Sequence, residues 1–229
     1  MKTSKRILSI IIVLLIPVLS MLWFTRHESS GYASIELIAY PLIFGGVSIV
    51  AIYLLKTRLL KEQLIDFNSG NGSWYTDILW GLLLTATYFI LFFAFRATLS
   101  NILAFHPNSE LLDLMLDMRQ SPLLIAIWFG PVLWLGVALY EELVRAFLLT
   151  SIWKEKNSLL WITLSILLTS IVFGLAHYSQ GPYGIVTIGL KSFIPAFFFY
   201  HKRRLMPLVY AHVLYDGLQV AMFLITYQS

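Results

Sequence analysis

The chain has 229 residues, 59% hydrophobic and only 12% charged, with a net charge of +4. Soluble domains are typically about 25% charged, so a water-soluble fold is excluded and the expected solvent is a lipid bilayer. Cysteine is absent, which removes disulfides, thiolate metal sites and cysteine nucleophiles.

Only helices and closed barrels span a bilayer. The apolar runs here do not alternate and are roughly 20 residues long, which selects helices. In chain order the spans are expected at about 7–24, 35–55, 75–95, 123–151, 159–178, 184–200 and 206–226. The first follows Lys2, Lys5 and Arg6 and resembles a secretory leader. Its run is long for a leader and no small-residue cleavage site follows. An uncleaved first helix is expected, with a cleaved leader as the alternative. The stretch 67–74, rich in Gly, Asn and Ser, reads as a flexible turn. Between the third and fourth spans, 110–119 reads as a short interfacial helix that Ser109 would cap. Pro131 gives the fourth span a kink site. The expected fold class is therefore all-α, a polytopic integral membrane bundle of about seven transmembrane helices, with 1–229 as a single transmembrane domain.

Most of the 16 Lys and Arg fall in four clusters, at 2–6, 56–61, 154–156 and 202–204. Seven spans place all four on one side, leaving Arg26, Arg96 and Arg119 on the other. The positive-inside rule then predicts a cytoplasmic N-terminus and an external C-terminus. The clusters adjoin apolar runs, so they report topology, and no nucleic-acid partner is expected.

Three spans carry polar groups where lipid tolerates few. The fourth holds Tyr140-Glu141-Glu142-Leu143-Val144-Arg145. A charge at the bilayer centre costs roughly 2.5–3.5 kcal/mol on insertion scales, so such groups pair, line a wet cavity or do chemistry. Phe173 and His177 lie at i and i+4, as do His212 and Asp216, so each pair shares a helix face. A Glu beside a His in a low-dielectric site activates water, and a second His can donate to a developing oxyanion. Taken singly, a histidine on an apolar helix is more often an interhelical hydrogen-bonder than a reactive group. Arg145 can equally snorkel to the interface. Lys191, inside the sixth span, either counters a carboxylate such as Asp216 or reaches the interface. By residue counting, Glu141, His177 and His212 lie at different depths. They converge only if helices tilt or the sixth span is broken at Gly189 and Pro195.

Glu-Glu followed closely by Arg, then Phe-x-x-x-His, then His-x-x-x-Asp, in that order on late spans, resembles the CPBP family. That family comprises the type II CAAX prenyl proteases and the bacteriocin-processing or Abi membrane proteins. The motifs cover 136–219, within a CPBP-like core of about 123–226. The resemblance implies a glutamate-type intramembrane endopeptidase in which Glu141 and His177 activate water. His212 and Asp216 support the oxyanion, while Glu142, Arg145 and Phe173 are supporting residues. It implies no cofactor and no metal, with zinc on Glu and His ligands the lesser alternative. The substrate would be a membrane-associated protein or peptide, and the location a prokaryotic cytoplasmic membrane. The chain departs from the family in spacing. Two residues, Leu143 and Val144, separate the Glu pair from Arg145 where the family has three. Aligning on Arg145 instead puts Tyr140 at the base position, which implies an altered or inactive enzyme. Many relatives also have Asn in place of Asp216. The alternatives to proteolysis are a non-catalytic immunity or partner-binding protein of the same fold, and a small proton-coupled transporter.

Overall fold

The structure is a computed structural model that describes residues 2–27, 36–105, 115–116 and 118–226. Seven long helices carry the fold among the described residues. They are α1 (Lys2–His27), α2 (Glu36–Leu54), α3 (Trp74–Leu99), α4 (Pro122–Glu155), α5 (Leu159–Leu175), α6 (Gly181–Lys202) and α7 (Met206–Thr226). No strand occurs among the described residues. Among the described residues five segments are long and apolar enough to cross a membrane, and α5 is a shorter apolar helix. The outer faces fit that solvent: Leu79 and Leu83 on α3, Leu168 on α5 and Ile225 on α7 are all exposed. In water this surface would drive aggregation; in lipid it carries no penalty. The chain is a polytopic membrane bundle.

The long α4 sits at the centre, touching α1, α2, α5, α6 and α7. It is not uniform. It starts as an α-helix at Pro122–Ile127, runs as a wide π-helix over Trp128–Leu139, and returns to α geometry at Tyr140–Glu155. The predicted kink is present, and its non-helical residue is Gly130 (φ −85°, ψ −109°), immediately before Pro131. A proline excludes its predecessor from the α region, so the distortion falls on the residue that tolerates it best.

Small residues bring helices together, as expected where lipid supplies no hydrophobic drive. A Cβ on Gly174 of α5 would lie 2.5 Å from the Ile185 carbonyl oxygen and 3.0 Å from the Gly189 Cα, both in α6. The α5–α6 crossing therefore depends on Gly174.

The stretch 67–74 is not the flexible turn that its composition suggests. The Gly70 N–H donates to the Arg203 carbonyl at 3.1 Å, and the Leu205 N–H donates to Asn68 Oδ1 at 2.9 Å. Arg204 donates to the Gly70 carbonyl at 3.2 Å and forms an ion pair with Asp77. Ser73 then caps α3 reciprocally with Thr76. Glycine and asparagine serve here for close approach and capping. The predicted helix at 110–119, with its cap Ser109, lies largely outside the described residues.

A second ionic cluster ties the same end of the bundle. Arg6 of α1 bonds Glu62 at 2.8 Å and Glu155 at 2.7 Å. Lys56 bonds Glu62 and Asp66 at 3.1 and 3.0 Å, and Lys154 reaches both carboxylates. Burial works to raise the Glu62 and Asp66 pKa values. Hydrogen bonds from Lys154 and Lys56, and for Glu62 from Arg6 as well, outweigh it and hold both below their ordinary values.

Candidate active site

The glutamate pair and Arg145 of α4, His177 just beyond α5, and His212 and Asp216 of α7 face one cavity of about 670 Å³. Glu141, Glu142, Arg145, Phe173, His177, His212 and Asp216, each named above from sequence, all line it. Tyr140 does not; it packs against the hydrophobic core.

The two glutamates are used differently. Glu142 is buried, bonds the buried Arg145 three residues on, and accepts from His212 Nδ1 at 2.9 Å. The Arg145 guanidinium carbon lies 4.1 Å from the Phe173 ring centroid. Arg145 therefore does not snorkel. It is held between a carboxylate and an aromatic face, and its Nε has no hydrogen-bond partner among the described residues. Glu141 is more open, with 22% of its side chain exposed, and its Oε2 lies 3.9 Å from His212 Nε2. That is beyond hydrogen-bond range but close enough to share a small molecule.

His212 sits between carboxylates. Its Nδ1 faces Glu142 and its Nε2 faces Asp216 Oδ2 at 3.1 Å, one helical turn along α7. A neutral imidazole has one N–H, so donating in both directions takes the imidazolium.

His177 is placed differently from the expectation. α5 ends at Leu175, and His177 lies in the turn beyond it (φ −103°, ψ 27°). The i,i+4 relation with Phe173 survives through the backbone, because His177 Nδ1 is 2.8 Å from the Phe173 carbonyl oxygen. A carbonyl only accepts, so Nδ1 carries the hydrogen. In the neutral ring Nε2 then has a free lone pair.

The depth problem is not solved by a broken sixth helix. α6 runs without interruption from Gly181 to Lys202, with Pro195 buried inside it. The distortion lies in α4 instead, and His177 reaches the cavity from beyond its helix end. Lys191 faces the cavity rather than the interface, with Nζ 4.0 Å from the Tyr215 ring centroid and 5.6 Å from that of Tyr88. These tyrosines are edge-to-face with each other. Neither was marked by sequence, since an aromatic on an apolar helix carries no signal until its neighbours are known. Among the described residues no group of three or more His, Asp or Glu side chains is arranged to hold a metal ion.

Fold and site define a membrane protein of several helices with a polar, carboxylate- and histidine-lined cavity within the bundle. Residues 123–218 match the family model described as type II CAAX prenyl endopeptidase Rce1-like. This segment carries Glu141, Glu142, Arg145, Phe173, His177, His212 and Asp216, and is similar to that family. No curated protein and no solved structure matches the chain.

Proposed function

We propose that the protein is an intramembrane endopeptidase that hydrolyses a peptide bond of a membrane-associated protein or peptide with a water held by Glu141 and His177. The observation that carries this reading is the meeting of a partly open carboxylate, a histidine whose Nδ1 is held by a backbone carbonyl and a second, anchored histidine around one cavity. Water bound between Glu141 and His177 Nε2 loses a proton to Glu141 as its oxygen bonds the substrate carbonyl carbon. The carbonyl oxygen becomes an oxyanion, which the His212 imidazolium stabilises by its charge and by an Nε2–H shared with Asp216. As the C–N bond breaks, the proton on Glu141 passes to the leaving nitrogen. The products are a carboxylic acid and an amine, with no other reactant consumed.

In this reading Glu142 and Arg145 hold His212 in place, and Asp216 orients its second nitrogen. An ionised Asp216 would repel the oxyanion, so its part is to fix the imidazolium rather than to donate. Lys191 offsets part of the carboxylate charge. The chain would sit in a prokaryotic cytoplasmic membrane with its N-terminus inside and C-terminus outside, as its basic clusters favour.

The test uses purified protein in liposomes and a quenched fluorescent peptide tethered to lipid. Glu141→Gln keeps volume but cannot take the proton, so cleavage should fall by about 10²–10⁴-fold. His177→Ala should be comparably damaging, and the double variant little worse, because groups acting as a unit are not additive. Tyr140→Phe removes a hydroxyl outside the cavity and should leave the rate intact. Cleavage abolished by Tyr140→Phe but spared by Glu141→Gln would move the base to Tyr140 and sink this mechanism. Wild-type protein that cleaves no peptide would favour a non-catalytic, partner-binding role, and proton-coupled flux would favour a transporter.

A further inference from the structure

The cavity is displaced toward one end of the bundle. On α3 it is lined from Tyr88 onward, in the second half of the helix, while the first turn is tied to Arg204 through Asp77. On α6 it is lined from Tyr183 to Pro195, and that helix ends at Lys202. On α4 it ends at Arg145, about 13 Å of helix short of Lys154. These helices give the same polarity: cavity at one end, basic clusters at the other.

The basic end is closed. Phe147, Leu149 and Trp153 of α4, Phe199 of α6 and Leu208 of α7 are buried below the cavity. Beneath them lie the Lys56–Glu62–Asp66–Lys154 ion pairs and the docked 67–74 stretch. The opposite end has a rim. Arg96 and Ser100 at the end of α3, Phe105 beyond it, and Gln180 and Tyr183 at the start of α6 line the same cavity. The Tyr183 N–H donates to the Ala104 carbonyl at 3.1 Å, and the Phe105 and Tyr183 rings pack edge to face at 5.9 Å. Phe92, Phe95 and Met115 make the approach apolar, and the neighbouring Ile90 and Phe93 are exposed on the lipid side.

We propose that the substrate reaches the cavity only from the face opposite the basic clusters, so that in the cell it is an apolar peptide segment presented at the extracytoplasmic surface or outer leaflet. A substrate held at the cytoplasmic surface would meet the packed, ion-paired end. The proposal deepens the protease reading and rests on it for the word substrate, but the direction of access is measured independently of cleavage.

The natural chain has no cysteine, so single cysteines report access without background. Ser100→Cys marks the rim and Thr187→Cys the cavity wall. Thr187 bonds only carbonyls of its own helix, which makes that exchange mild, and Gln180→Cys is the second rim variant should it misfold. Ser69→Cys marks the basic end. Each full-length variant is exposed to a charged, membrane-impermeant methanethiosulfonate, in intact cells and in sealed inside-out vesicles. The Ser100→Cys and Thr187→Cys variants should react at least about 10-fold faster in cells, and the Ser69→Cys variant faster in vesicles. Reaction of the Thr187→Cys variant from the vesicle side only, or from neither side, would overturn the proposal. Labelling of Ser69→Cys in intact cells would overturn it by reversing the orientation. A protein that cleaves nothing but shows the expected labelling would lose the protease reading and keep the direction of access.

Discussion

Replacing Arg145 by methionine isolates the energetics of the site's anchor. Arg145 is 3% exposed, and its guanidinium touches two things of consequence, the Glu142 carboxylate and the Phe173 ring. Methionine keeps the aromatic contact in weakened form and removes the charge. Glu142, 2% exposed, then has His212 as its remaining partner. Breaking one side of a buried pair typically costs about 3–5 kcal/mol. Unfolding in mixed micelles leaves helices formed and lets stranded groups find other partners, so the lower end, about 3 kcal/mol, is expected. Glu142→Gln alone strands the cation instead, beside a ring and with Nε already unpartnered, and a similar loss follows. In the double variant neither charge is stranded, and the amide oxygen introduced by Glu142→Gln can still accept from His212. Its loss should fall short of the sum of the singles by about 2 kcal/mol, within the range found for contacting residues. Detergent-denaturant titration followed by tryptophan fluorescence gives all four corners of the cycle. Additive losses would refute the claim that these residues form one buried unit.

The ionic cluster at the basic end makes stability depend on pH. Glu62 and Asp66 have folded-state pKa values below the unfolded ones, so their contribution is complete above the ordinary carboxylate range, near pH 4, and is lost as pH falls through the lowered values. Glu62→Gln should therefore lower the thermal midpoint in detergent at pH 7 and lower it less at pH 3; an equal shift at both would count against the cluster. Gly174→Ala should destabilise by about 1–3 kcal/mol and reduce activity, since the new methyl meets α6 backbone next to Phe173 and His177. Gly46→Ala, whose Cβ meets nothing within 4 Å, is the neutral control, and equal midpoints for the two variants would remove the close-crossing argument.

Composition and hydropathy were enough for the helices, five of which are long and apolar enough to span among the described residues, because a bilayer imposes length and apolarity on each span separately. The residues that meet at the cavity were legible for a related reason: Glu141, His177, His212 and Asp216 stand out against lipid, which tolerates few such groups. What residue counting missed were properties of pairs of segments. Gly70 looked loose because its partner, the end of α6, is more than 130 residues away. Arg6, Lys56 and Lys154 looked like topology markers, and their pairing with Glu62, Asp66 and Glu155 appears only when three helix ends meet. Lys191 had two open assignments, and Tyr88 and Tyr215 decide between them. His177 was assigned to the last turn of the fifth span because its apolar context continues past the point where α5 stops.

The wide turns of α4 bear on how this sequence is compared with others. Each i→i+5 turn consumes roughly one more residue than an α turn, so between Trp128 and Leu139 sequence distance and angular position around the helix fall out of step. The glutamate pair begins where α geometry resumes. Its facing is thus set by how many residues the π stretch holds, while the facing of Arg145 relative to the pair is set by the ordinary helix that follows. An insertion or deletion upstream could be absorbed by tightening or loosening the π stretch, with the pair still aimed at the cavity. One placed between the pair and Arg145 has no such slack and would turn Arg145 by about 100°. The two-residue interval therefore sets Arg145 at i+3 from Glu142, on the same helix face, where the two pair.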